Sequence, residues 1–137
     1  MRLTMAMAMA IAASVVGCSP VDGPVWLTPT PAAAPYVADA VAAWVEAGVP
    51  EGWLGVGPGG IPVSIDPGLA GRGATLVSSW GDVAWVHMHP DAPLRSWVHE
   101  LGHVMGAPEG DPATACVMVS GGTCDDITAE DMALAGW

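Results

Sequence analysis

Lysine and phenylalanine are absent from this sequence, and its 137 residues include only one tyrosine, three cysteines and four histidines. Permanent positive charge is confined to Arg2, Arg72 and Arg95, against 14 acidic residues, for a formal net charge of −11. A nucleic-acid binder needs several cations to displace phosphate counterions, so that class is excluded. Metal storage or scavenging calls for more histidine and cysteine than this chain carries. The longest apolar run, Met5 to Val16, is interrupted only by Ser14 and is too short for a transmembrane helix. Charged residues make up only 12% of the chain and hydrophobic ones 52%, which excludes a disordered polyampholyte and indicates a globular chain. The length argues for one domain. The acidity favours solubility and identifies no substrate.

The first identifiable segment is the N-terminus. Arg2 precedes the short apolar run, which ends in Val15-Val16-Gly17-Cys18. This arrangement has the shape of a signal peptide and resembles the lipobox of bacterial lipoproteins. The resemblance implies removal of residues 1–17, lipidation of Cys18, a linker over 18–24, and an exported protein anchored to a membrane of the cell envelope. With Cys18 so used, Cys116 and Cys124 remain as a pair that a bridge can close in an oxidising compartment. Two free thiols are the alternative.

Val25–Thr28 reads as a strand. Thr30 is placed to cap a helix with Pro31 or Pro35 in its first turn. Val37, Ala40, Val41, Trp44 and Val45 then follow helical spacing, and Gly48 with Pro50 ends the helix. That stripe is core packing. Residues 52–60 read as a loop. They contain Gly55-x-Gly57-x-x-Gly60, a formal dinucleotide fingerprint, but Pro58, Gly59 and Pro62 forbid the helix that it must open. Strand signals follow around Ile61, Val63 and Ile65, at 74–80 and at 83–89. In the last, Val83, Trp85, His87 and His89 share one face, and Ala84, Val86 and Met88 the other.

The next helix has Asp91 as its candidate cap and Pro93 near its start. Leu94, Trp97, Val98, Leu101 and Met105 form its apolar face. Within it stands His99-Glu100-Leu101-Gly102-His103. Residues four apart lie one helical turn above each other, so His99 and His103 project side by side and can hold one zinc ion. Glu100 is rotated about 100° around the axis and can reach a water on that ion as general base. A buried structural histidine pair is the competing account. His87 and His89 precede the helix and read as strand-face or cleft-lining residues, not ligands.

The run from His99 to Gly106 resembles the opening of the metzincin motif, H-E-x-x-H-x-x-G-x-x-H/D. In that family the glycine turns the chain sharply so that a third ligand arrives from beyond the helix. Glu109 occupies the matching position, where the family has His or Asp, and Asp111 is the alternative. Met118, followed by Gly121-Gly122, resembles the methionine of the family's Met-turn, which packs beneath the metal without binding it. A Cys116–Cys124 bridge would staple that turn. Ser120 stands where some metzincins have tyrosine, a residue that matrixins lack. Thr128 with Asp131 approximates a capping box, and Ile127 with Met132 a hydrophobic staple, for a closing helix. Asp125 and Asp126 read as solvated acids near that cap.

The resemblance implies an α+β domain over 25–137 with an α/β-like N-terminal half. Its parts would be a twisted mixed sheet of about four to five strands, a backing helix, a zinc-binding helix, a Met-turn and a C-terminal helix. An antiparallel edge strand around Ala74–Trp80 would align the substrate. The implied activity is zinc-dependent endopeptidase hydrolysis of a peptide or protein by a monomer, with Zn2+ on His99, His103 and Glu109 and with Glu100 as base. The competing function is an inactive surface lipoprotein that uses the same fold as a binding module.

Overall fold

The computed structural model describes residues 23–77 and 82–137, so the leader, Cys18 and the 78–80 end of the expected edge strand lie outside the described residues. Alternation of apolar residues builds the sheet. Strand β1 (Val25–Pro29) buries Leu27 and exposes Trp26; β3 (Ile61–Ile65) buries Val63; and β5 (Val83–Met88) buries Val86 and Met88. These inward residues share one core with Val37, Ala40 and Trp44 of helix α1 (Ala34–Ala47) and with Trp97, Val98 and Leu101 of helix α2 (Leu94–Val104). The sheet is completed by β2 (Leu54–Val56) and β4 (Gly73–Val77), in the order β2-β1-β3-β5-β4. The neighbours β1/β2, β1/β3 and β3/β5 are parallel, and β4 is an antiparallel edge strand on β5. A short helix α3 (Ala129–Leu134) closes the chain. The architecture is therefore α+β, with a five-stranded mixed sheet and three helices.

Several local expectations are corrected. Residues 54–56 form a strand, not a loop. Leu54 is buried, and Gly55 leaves room for the Trp26 ring, which a Cβ there would strike. The fingerprint glycines open no helix, because β3 begins at Ile61. Thr30 does not take the N-cap position of α1, although its hydroxyl accepts from the Ala33 N–H at 3.4 Å. Its carbonyl accepts from the Ala33 and Ala34 N–H groups at 3.0 and 2.9 Å, closing a turn ahead of the helix, and Ala33 takes the cap position. Asp91 does not cap α2 either, since Pro93 stands there with no side-chain cap. Leu94 is 47% exposed, because the core covers the α2 stripe only from Trp97 onward. Strand β5 stops at Met88, although the His89 N–H still donates to the Arg72 carbonyl at 2.9 Å, in line with the β4/β5 register.

Helix α1 ends as its glycine dictates: Gly48 adopts φ 127°, and the Val49 N–H reaches the Trp44 carbonyl at 3.0 Å. Trp44 also donates from Nε1 to the Val98 carbonyl at 2.9 Å, which fixes α1 against α2. Helix α2 is buried continuously from Trp97 to Val104. One side meets the sheet and α1. The other lies under the C-terminal segment, so polar residues on that side are removed from water as well.

Candidate metal centre

Three ionisable residues of α2 are almost fully buried: His99 at 5%, Glu100 at 3% and His103 at 0% exposure. Burial of such groups is costly unless each is paired, and each has identifiable partners. Helix α2 ends in a Schellman turn. Gly106 takes φ 93°, its N–H donates to the His103 carbonyl, and the Ala107 N–H donates to the Gly102 carbonyl, both at 2.9 Å. The turn sets the Ala107 carbonyl 2.7 Å from His103 Nδ1. The Val117 carbonyl lies 2.8 Å from His99 Nδ1. Carbonyls only accept, so both Nδ1 atoms carry the proton, and both Nε2 atoms present lone pairs when the rings are neutral.

The two Nε2 atoms point at each other across 3.0 Å, and Glu109 Oε1 lies 3.1 Å from each. Three acceptors converge on one point, and only a cation, proton or metal, relieves their repulsion. These residues form the group able to hold a metal ion among the described residues. Zinc bonds of about 2.0–2.1 Å in a tetrahedron would set ligand atoms about 3.3–3.4 Å apart, so the observed triangle needs only slight opening. Glu109 Oε2 is held by the Ser120 N–H at 3.1 Å, which aims Oε1 inward.

Electrostatics agree with the geometry. Burial alone would raise the Glu109 pKa, but once a proton occupies the imidazole Nε2 positions, hydrogen bonds from His103 and His99, with the Ser120 contact, carry it from its ordinary 4.5 down to about 2. Burial opposes charge on His99, yet the Glu109 contact, the Glu100 charge and the Val117 carbonyl outweigh it and raise its pKa. The surroundings that favour a proton on His99 Nε2 also favour a metal cation there in the proton's place.

Glu100 projects to the other side of the motif. Its Oε2 accepts from Thr75 Oγ1 of β4 at 2.5 Å, and Gly73 of the same strand leaves the room that its Cγ occupies. Glu100 and His99 thus line a cleft of about 430 Å³. One wall is Gly71–Gly73 at the start of the edge strand; the other is 120–123, with Pro93, Arg95 and Ser96 of the α2 entry.

The C-terminal segment is held over α2 by a few polar groups. Cys116 and Cys124 are disulfide-bonded. Met118 is fully buried and rests on Gly102, where any Cβ would overlap its sulfur. Its carbonyl accepts from the Gly110 N–H at 2.8 Å. Asp131 is fully buried and completes the capping box with Thr128. Its carboxylate also accepts from the backbone N–H groups of Cys116, Val117 and Met118 at 3.0–3.2 Å. Burial would raise its pKa; the donors at Thr128, Met118 and Cys116 lower it.

Of the residues singled out in the sequence, His99, His103 and Glu109 meet, with Glu100 next to them in the helix, while Met118 packs on Gly102. Asp111 does not join them. It is exposed, and its Oδ1 accepts from the Ala113 N–H at 2.8 Å. His87 stacks on Trp85 and lies 3.7 Å from Asp66, while His89 Nδ1 accepts from the Asp91 N–H; neither belongs to the metal-ligand group. Asp125 and Asp126 are exposed. Sequence reasoning missed Thr75, Gly102, Arg95 and the second role of Asp131. For Gly102, the absence of a side chain inside a helical motif was an available signal; for the others there was none. No protein-family model matches the chain, and no curated protein matches its sequence.

Proposed function

We propose that this protein is a zinc-dependent endopeptidase of the metzincin type, anchored in a bacterial cell envelope through lipid on Cys18. The observation that carries the reading is the convergence of His99 Nε2, His103 Nε2 and Glu109 Oε1, with both Nδ1 protons committed to carbonyls. Two nitrogens and one carboxylate oxygen suit zinc with a position left open, the donor set of catalytic sites. The Schellman turn at Gly106, the methionine under Gly102 and the closing helix α3 support the metzincin assignment.

When bound, zinc supplies a Lewis acid that acidifies water and polarises a carbonyl. The protein's own groups do the rest. Thr75 holds Glu100 Oε2, so the carboxylate faces the cleft in a fixed orientation and takes a proton from water. The same carboxylate returns the proton to the departing amine. The free edge of β4 pairs with an extended peptide laid along the cleft, as an added strand does. Val117 and Ala107 keep the imidazoles oriented through their carbonyls.

The test is zinc content of the purified full-length protein after dialysis, beside Glu109→Ala and Glu100→Ala, with cleavage of a peptide library. About one zinc per wild-type chain is expected, lost in Glu109→Ala and kept in Glu100→Ala, with cleavage lost in both. A folded wild-type protein that retains no zinc overturns the reading. Zinc without cleavage of any peptide leaves a binding module.

A further inference from the structure

Beyond Arg2, the chain has two permanent cations, Arg72 and Arg95, and both line the same cleft in a chain of net charge −11. Among the described residues the close ion pairs all involve histidine, so neither guanidinium is matched by a carboxylate. Arg95 donates from Nε to the Cys124 carbonyl at 2.6 Å, and from Nη2 to those of Cys116 at 3.0 Å and Val119 at 2.5 Å. All three partners are uncharged, so its positive charge stays in the wall on the disulfide side. Arg72 stands on the other wall. Its side chain is exposed, while its backbone is pinned by the His89 N–H. It directly precedes Gly73, which lies against the Glu100 side chain.

Arg72 and Arg95 place positive charge on both walls of a cleft whose lining also holds the Glu100 carboxylate, and charge set in the walls of a cleft acts on what enters. A guanidinium with its fork unused is suited to a carboxylate, which it binds through two parallel hydrogen bonds. We propose that the cleft selects peptides that carry a carboxylate close to the bond cut, with Arg72 as the specificity-determining contact. The carboxylate is an acidic side chain or a free C-terminus. This deepens the peptidase reading and rests on it for the word cut. Arg95 supplies field, and its three carbonyl bonds keep it from reaching the ligand as Arg72 does.

The test uses the full-length, zinc-loaded protein with Glu100→Gln, which prevents turnover. Fluorescence anisotropy reports binding of labelled peptide pools that differ only in Glu, Gln or Lys, each with a free or an amidated C-terminus. A charged contact in a half-open cleft gives about fivefold tighter binding than the matched neutral peptide. Preference for Glu identifies a side chain, and preference for the free acid identifies a C-terminus. Adding Arg72→Ala abolishes the preference, and Arg72→Glu turns it toward Lys-containing pools. Equal binding of all pools, no binding of any, or a preference that survives Arg72→Ala overturns the proposal. Cleavage by zinc-loaded wild type is scored separately. Carboxylate preference without cleavage defeats the peptidase reading alone, and cleavage without preference defeats this proposal alone.

Discussion

The two sides of the candidate metal centre are built by different means. On one side lie the sheet, α1 and α2, in which backbone ladders and a shared apolar core determine position. On the other lies the chain from Met105 to Thr128, which has no helix or strand among the described residues. It is held by the Asp131 carboxylate, the Arg95 guanidinium, one disulfide and the two histidines themselves. His99, Glu100 and His103 come from the regular side; Glu109, Met118 and the Val117 carbonyl come from the irregular one. A periodic side tolerates single changes because its contacts are many. An irregular side concentrates the same task in a few groups, and each becomes critical.

The sharpest way to break this contrast is Asp131→Ala. The substitution leaves buried N–H groups at Cys116, Val117 and Met118 without their acceptor and removes the α3 cap. Unsatisfied buried donors cost about 1–3 kcal/mol each, and partial relaxation brings the sum to about 3–5 kcal/mol. Urea denaturation is expected to show that loss, and zinc affinity should fall with it. Asp125→Ala, at an exposed acid, should change neither. A loss below about 1 kcal/mol would reduce Asp131 to an ordinary cap.

Next in size is the bridge. Replacing Cys116 and Cys124 together by serine opens a short loop, whose closure is worth about 2–3 kcal/mol. The loop carries the Val117 carbonyl that orients His99 and all three carbonyls bound by Arg95. The expected outcome is lower stability together with weaker zinc binding, read by competition with a chelator. Unchanged zinc affinity would show that Asp131 and Arg95 hold this side unaided.

The seam itself can be tested at Gly102. An alanine there overlaps Met118 and approaches Trp44, and overpacking of this kind costs about 1–3 kcal/mol. In a Met118→Ala background the added methyl has room, so the second cost should be clearly smaller. A double-mutant cycle reads the coupling; additive effects would mean that Met118 does not rest on this glycine.

The same contrast explains what was legible in the sequence. Helix α1 was readable because Val37, Ala40 and Trp44 repeat at helical spacing and Gly48 stops them. The side-by-side placing of His99 and His103 was readable because four residues make about one turn. Glu109 and Met118 were reachable only through resemblance to a known motif, since no period connects them to α2. The edge position of β4 likewise came from resemblance. Strand β2 was hidden because Gly55 and its neighbours look like loop residues, and their purpose is visible only beneath the Trp26 ring. The anchoring role of Asp131 spans 13–15 residues to donors on the backbone, and backbone donors have no signature in side-chain types. Arg95 was one charge on a helix until its three carbonyl partners were in place.

The smallest effect concerns acid. Asp131 has its pKa lowered in the fold by its backbone donors. A carboxylate whose folded pKa lies below its unfolded value stabilises the fold above the unfolded value, and that contribution disappears as pH falls through the folded one. The ordinary value is 3.8, so Asp131 contributes fully near neutrality, and its contribution erodes below that point. The irregular side should therefore loosen first in acid. Trp137 follows α3 and packs edge-on against Trp53 at 4.8 Å between ring centres, so the difference in fluorescence between the protein with all seven tryptophans and its Trp137→Phe variant offers a local readout. Titration of the metal-free protein below pH 4 should move that signal before the circular dichroism of the sheet and long helices changes. Asp131→Asn, lower in stability at neutral pH, should show a shallower acid limb. A limb of equal slope in wild type and variant would assign the acid response to other carboxylates and leave the two sides titrating as one unit.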